Sequence, residues 1–223
     1  MTIGDSNGAR AKILGRIRKA QGRGASRPSQ AELEAVQTYL RAHPRGPIPE
    51  IAGDLVARFR SKAESMQSTT EEVAREAEVP QAVARYLRSN ALPLSGCVWP
   101  ALSRLDWMSA GLDLAPRAAQ GDDLVGVTGA FAGIAETGTL MLVSGQDTPA
   151  SVSLLPETHV AIVRTSRIVS HMELAWDLAR AELGQLPRAV NFISGPSRTG
   201  DIEQQIVMGA HGPYRVHIVL VRG

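Results

Sequence analysis

The 223-residue chain has one cysteine, Cys97, and only three each of Phe, Tyr and Trp. A single thiol excludes an internal disulfide framework and any iron–sulfur or metal site built on several cysteines. It also fits a reducing, cytoplasmic compartment. Cys97 precedes Val98 and Trp99, an apolar setting in which a buried, inert thiol is expected rather than a nucleophile. With aromatics at 4%, the core must be aliphatic and alanine-rich. No apolar run nears the length of a membrane span. Met1 to Gln30 holds no apolar h-region, so a secretory leader is not expected. The histidines at 43, 159, 171, 211 and 217 lack the spacing of a zinc-binding helix. There is no Walker A loop, no G-x-G-x-x-G and no G-x-S-x-G elbow. Net charge is slight, 24 Lys and Arg against 22 Asp and Glu.

What charge there is lies unevenly. Residues 1–30 carry Arg10, Lys12, Arg16, Arg18, Lys19, Arg23 and Arg27 against Asp5, leaving the remainder slightly acidic. Such an arm can meet nucleic acid or a membrane surface; a solvated helix and tail is the plainer reading. The length suits one large domain with an appended piece. We place a basic helix and linker at 1–29 and an α/β domain at 30–223. Within that domain, a helical part spans 30–90 and a motif-bearing core spans 92–223.

Apolar spacing predicts helices at 9–20, 30–42 and 49–67, the last opened by Pro49. Residues 70–88 have the apolar pattern of a helix-turn-helix, with Gln81 and Arg85 on its second helix. Against DNA binding, the usual turn glycine is Glu78, and Glu71, Glu72 and Glu76 give the wrong charge. Nucleic acid is therefore not an expected partner, and a helix pair outside a sheet is the ordinary alternative. Short strands are expected at 92–98 and 123–128, with a turn of helix at 101–107 and a loop at 115–121. Further strands are expected at 159–163, 188–194 and 215–221. Ser170 and Glu173 read as a capping box for a helix to Leu183, ended by Gly184. His171, in its first turn, lines a site or faces solvent. Asp201 to Met208 reads as a short helix stopped by Gly209. Strands and helices alternating over 159–221 call for parallel crossovers.

The chain is organised around Gly126 to Ser144, GVTGAFAGIAETGTLMLVS. Here Glu136, Thr137, Gly138 and Thr139 open a short apolar run that reads as a buried strand. A carboxylate beside two hydroxyls can be tuned for chemistry, or can be a satisfied turn residue. In open α/β sheets, sites form where strands lead into helices. Gly195, Ser197, Arg198 and Thr199 form such a loop, suited to a phosphate or carboxylate. Equally, Thr199 caps a helix whose first turn already holds Asp201 and Glu203. His211, in a His-Gly-Pro loop, is an acid–base candidate or merely a surface residue.

Together IAETGT (134–139), LLPETH (154–159), SGPSRTGDIE (194–203) and GAHGP (209–213) resemble the lactate-utilisation (LUD) domain family, in its short, C-type form. The likeness runs through about residues 120–223. It implies an α/β fold with a mostly parallel sheet flanked by helices and an N-terminal helical extension. That fold is similar to ribose-5-phosphate isomerase, glucosamine-6-phosphate deaminase and the CoA transferases. It implies a role in lactate catabolism, oxidation of L-lactate to pyruvate beside two partners, one of which carries iron–sulfur clusters. With one cysteine, this chain would be the component without a cluster or metal. The site implied joins Glu136, Thr137, Gly138 and Thr139 to Gly195, Ser197, Arg198, Thr199, Asp201 and Glu203, with His211 nearby, around a small anionic ligand. Either a lactate-oxidising subunit or a CoA-transferase-like enzyme with Glu136 as nucleophile is compatible with it, as is a non-catalytic scaffold.

Overall fold

A computed structural model describes residues 6–23, 27–200, 206–209 and 211–223. The chain divides into two compact units, one ending at Pro47 and one running from Ile48 to Gly223. The break thus falls 18 residues beyond the one expected at residue 29. The first unit holds α1 (Ser6–Ala20) and α2 (Gln30–Ala42). Ser29 caps α2 in a reciprocal box: its hydroxyl accepts the Glu32 amide, and the Glu32 carboxylate accepts the Ser29 amide. None of the described residues of α2 is buried, so Leu33, Val36 and Leu40 stand exposed.

The second unit opens with α3 (Leu55–Ser65), capped by Asp54, whose carboxylate accepts the Val56 and Ala57 amides. The helix therefore starts six residues after Pro49, the start expected from sequence, because Asp54 offers the better cap. Then come β1 (Thr69–Val73) and α4 (Val79–Ser89). The first half of the apparent helix-turn-helix is thus a strand, and the DNA-reading geometry is gone. Val73 is buried in that strand, while α4 buries Val79, Ala82, Val83 and Leu87 against β1 and the last strand.

Next are β2 (Ser95–Val98), β3 (Asp113–Pro116), β4 (Val125–Gly129), β5 (Ala132–Ile134), β6 (Thr139–Val143), β7 (Thr158–Arg164) and β8 (Ile168–Val169). After α5 (Met172–Leu183) follow β9 (Val190–Ile193), β10 (Arg198–Gly200), β11 (Ile206–Met208) and β12 (Arg215–Val221). β3 occupies part of the expected loop at 115–121, and β5 was not foreseen: four and three residues give periodicity too little to work on.

Among the described residues these strands form three sheets. The large one is wholly parallel, in the order β1-β12-β7-β4-β2-β3. Its central strands are apolar on both faces, as a sheet covered on both sides requires. Ile218, Val219 and Leu220 are buried in β12, and Val160, Ala161 and Val163 in β7. The small sheet runs β8-β5-β6-β9, with β6 antiparallel to both neighbours. Residues 188–194 therefore join that sheet antiparallel, which corrects the uninterrupted parallel series expected over 159–221. β10 and β11 make a two-stranded antiparallel ribbon. The short helix expected from Asp201 to Met208 is not formed at its end, where Ile206–Met208 is strand; Asp201 and Glu203 lie outside the described residues.

α5 covers the small sheet, and Ala175 and Ala179 pack with Ala132, Ile134 and Met141 in a core of their own. The helix is capped by His171 without a side-chain bond, so the expected Ser170–Glu173 box is not formed. Gly184, at φ 66°, ends it.

Candidate functional site

The β5–β6 hairpin turns through Ala135 to Gly138, and the Gly138 amide donates to the Ile134 carbonyl at 2.9 Å. Gly138 adopts φ 68°, a left-handed conformation that glycine takes without strain. A Cβ there would overlap the Ala63 amide nitrogen and lie 2.6 Å from the Lys62 carbonyl carbon. The turn thus rests directly on the backbone of α3. On its other side the Ala135 amide donates to Val169 and the Glu136 amide to Ser170, at 2.8 and 3.0 Å. Glu136 is half-buried on this doubly held turn, and Thr137 is exposed.

The second segment meets the first through hydroxyls. Thr137 Oγ1 lies 2.7 Å from Thr139 Oγ1, and Thr139 Oγ1 lies 2.5 Å from Ser194 Oγ at the end of β9. Both segments also share one support. Gly195, at φ 77°, leaves no room for a Cβ against the Met66 carbonyl, which caps α3. Arg198 Nη2 donates to that same carbonyl at 2.8 Å, a favourable place for a cation. The third segment follows: Ser197 donates its amide to the Pro213 carbonyl and accepts the Gly209 amide, each at 2.9 Å. His211 is exposed on that loop.

The turn carrying Thr137, Gly138 and Thr139 therefore meets the segment carrying Gly195, Ser197 and Arg198 through the Thr139–Ser194 contact and a shared rest on the end of α3, with the His211 loop packed on Ser197. Glu136 lies on the same turn, held by its backbone amide. Among the described residues Arg198 begins a strand and Thr199 pairs with Val207 across the ribbon, so the loop does not run straight into a helix N-terminus after Thr199. The guanidinium of Arg198, rather than orphan helix amides, is the group that can meet an anion here. His171, expected to face solvent or line a site, does not face solvent. It is 8% exposed, with Nε2 2.7 Å from the Pro49 carbonyl and Nδ1 2.9 Å from Ser170 Oγ. The ring donates from Nε2 to the Pro49 carbonyl and shares a hydrogen bond at Nδ1 with the Ser170 hydroxyl. It therefore braces Ser170, whose carbonyl holds the Glu136 amide.

Cys97, His159 and His217 lie in the interior of the large sheet. Burial pushes the Cys97 thiol up to about 12, with nearby Asp123 adding to the effect, so this thiol stays protonated. Asp123 is held low by Arg117, which donates to both its oxygens at 2.6 and 3.0 Å. His159 and His217 are pushed down to about 3 and about 4 by burial. Each meets one threonine hydroxyl at 2.8 Å, Thr128 and Thr69 respectively. Among the described residues no three His, Cys, Asp or Glu side chains are grouped to hold a metal ion, and no helix is long and apolar enough to cross a membrane.

The sequence model of the LUD domain matches residues 56–221. A lactate utilization protein C of Bacillus licheniformis is 34% identical over 160 residues, covering 68% of this chain and 66% of that protein. Its counterpart in Bacillus subtilis is 43% identical over 100 residues, 44% of this chain and 42% of the other. That of Halalkalibacterium halodurans is 42% identical over 116 residues, 50% and 49% of the two chains. The chain thus spans between 42% and 66% of the length of these relatives. Among solved structures, a DUF162 family protein from Deinococcus radiodurans is similar with a TM-score of 0.58 and 22% identity. That likeness covers 78% of this chain and 99% of the other, and it is one of fold.

Proposed function

The chain belongs to the LUD-domain family, and on that premise we propose that it is the cluster-free component of a lactate utilisation system. In this reading it supports oxidation of L-lactate to pyruvate, and iron–sulfur partner proteins accept the electrons. The main support is the hydroxyl bridge from Thr139 to Ser194, which joins two segments 55 residues apart, one bearing the half-buried Glu136 and the other the Arg198 guanidinium. Arg198 binds the substrate or cofactor anion by a charge-assisted bond. Glu136 serves as base or nucleophile. Thr137, Thr139 and Ser197 supply orienting hydroxyls, and His211 stands by for proton transfer.

The test is lactate-dependent reduction of a dye with the partner proteins present. The Glu136→Gln/Arg198→Ala double variant is expected to lose about a hundredfold or more, a typical scale for removing an acid–base or charge-stabilising group. Full activity in a folded double variant ends the catalytic reading. One observation favours a scaffold role instead: Ile13, Ile17, Leu33, Val36 and Leu40 are exposed on α1 and α2, and apolar patches of that kind mark partner surfaces. On the scaffold reading, the site variants keep activity, while Leu33→Asp/Leu40→Asp abolishes capture of the partner in a pull-down.

A further inference from the structure

A cleft lies apart from those motifs, in the large sheet. There the connection leaving β2 runs outward to the edge strand β3, whereas the chain leaving its neighbour β4 passes through β5 and β6 of the small sheet and returns on the other side as β7. Two adjacent parallel strands whose connections part in opposite directions leave a crevice beyond their carboxyl ends, and in open α/β sheets that is where ligands bind. In this protein a cavity of about 460 Å³ occupies that position, reached by Trp99 and Leu102 after β2 and by Ala130 and Phe131 after β4. The size falls within the range of small-molecule sites. No residue of the AETGT, GPSRT or HGP segments lines it.

Its lining divides by chemistry. The floor is apolar, with Leu102, Ala130, Phe131 and Ile162. The rim carries three arginines, Arg104, Arg164 and Arg167, against two carboxylates, Glu76 and Glu182. Arg167 is committed: it pairs with both oxygens of Glu182 at 2.5 and 2.9 Å, donates to the Phe131 carbonyl, and lies over the Phe131 ring. Arg104 and Arg164 instead share the single carboxylate of Glu76, at 2.5 and 2.9 Å. Two guanidiniums on one carboxylate leave a positive charge uncompensated. Both arginines are more than half exposed, at 60% and 51%, and Glu76 is partly so at 28%. Pairs this open to solvent contribute little net stability, so the exchange of Glu76 for another anion costs little.

We propose that this crevice binds a small organic anion, a carboxylate or phosphate head on an apolar body. The head takes the place of Glu76 between Arg104 and Arg164, and the body lies on the Leu102–Phe131–Ile162 floor. Glu76 is then an internal competitor. This gives the proposal its distinctive consequence: removing an acidic residue from the site tightens binding.

Calorimetric titration of the full chain with benzoate and with phenyl phosphate tests this, with inorganic phosphate and benzyl alcohol as head-only and body-only controls. The two aryl probes separate a carboxylate from a phosphate preference. At least one is expected to bind about tenfold or more tighter than either control. Arg164→Ala is expected to weaken it, and Glu76→Gln to tighten it, each by about tenfold, the scale of one charge-assisted bond. Arg198→Ala, in the motif cluster, is expected to leave binding unchanged. Thermal unfolding checks that each variant is folded. The proposal is overturned if neither aryl probe outbinds the controls, or if Glu76→Gln fails to tighten binding. It is equally overturned if Arg198→Ala abolishes binding, which would assign the anion to the motif cluster.

Discussion

The two central strands of the large sheet and the motif-bearing turn of the small one are held by opposite means. In β7 and β12 stability comes from side chains that are present: they bury nearly every residue along their length. In the small sheet, the turn and loop that carry the motifs are held by side chains that are absent. Gly138 and Gly195 lie so close to the backbone of α3 and its cap that no Cβ fits. The first arrangement tolerates changes of shape that conserve volume. The second admits no side chain, because its neighbours are backbone atoms. The proposed chemistry therefore rests on the less forgiving of the two.

The largest expected effect sharpens that contrast. Gly138→Val combines a left-handed φ with overlap against α3 and should cost about 3–5 kcal/mol, or prevent folding altogether. Urea unfolding reads it; a loss below about 1 kcal/mol would mean that α3 yields easily and the contrast is false. Leu220→Ala, at a fully buried site of β12, should cost about 3 kcal/mol by lost transfer energy and a cavity. In the same assay, a cost equal to that of Gly138→Val would blur the distinction.

The third effect depends on pH. His159 and His217 are neutral in the fold, with pKa values pushed down to about 3 and about 4 from 6.5. Below pH 6.5 the unfolded chain gains protons that the fold refuses, so stability falls as pH drops from about 6.5 towards 4 and on to 3. His217 stacks on Tyr86 with centroids 3.9 Å apart, so His217→Phe keeps a ring there and removes one titration. Its stability should fall less than that of the parent between pH 6.5 and 4. Identical pH slopes would show that the His217 ring protonates as easily in the fold as out of it.

The smallest effect concerns two serines with the same S-x-x-E spacing. Ser29→Ala should cost α2 about 1 kcal/mol, the usual scale for losing an N-cap, seen as faster amide exchange in its first turn. Ser170→Ala should leave the first turn of α5 unchanged, since Ser170 does not cap it.

Those serines also show what was legible beforehand. Both carry the S-x-x-E spacing and the box is expected from sequence only at Ser170, yet only Ser29 uses it, because the Ser170 hydroxyl meets His171 and its carbonyl meets Glu136. Local pattern states what a residue can do; tertiary partners decide what it does. The same reasoning explains Thr69–Val73, whose apolar spacing suited a helix until β12 offered it a parallel partner. The long strands β7 and β12 were legible from continuous apolar runs. The motif segments were legible as a resemblance, but not their common support: nothing in the spacing of Gly138 and Gly195 tells that both press on one helix end. The Arg104–Glu76–Arg164 arrangement escaped notice because its members come from three distant stretches, none with a motif of its own.

The most direct measurement is a double-mutant cycle on Glu136→Gln and Arg198→Ala, read in lactate-dependent electron transfer with the partner proteins present. If the two segments make one working site, each single variant loses activity and the double loses much less than the product of the two, because residues acting as a unit are not additive. Losses that simply multiply, or single variants with undiminished activity, would contradict a shared site.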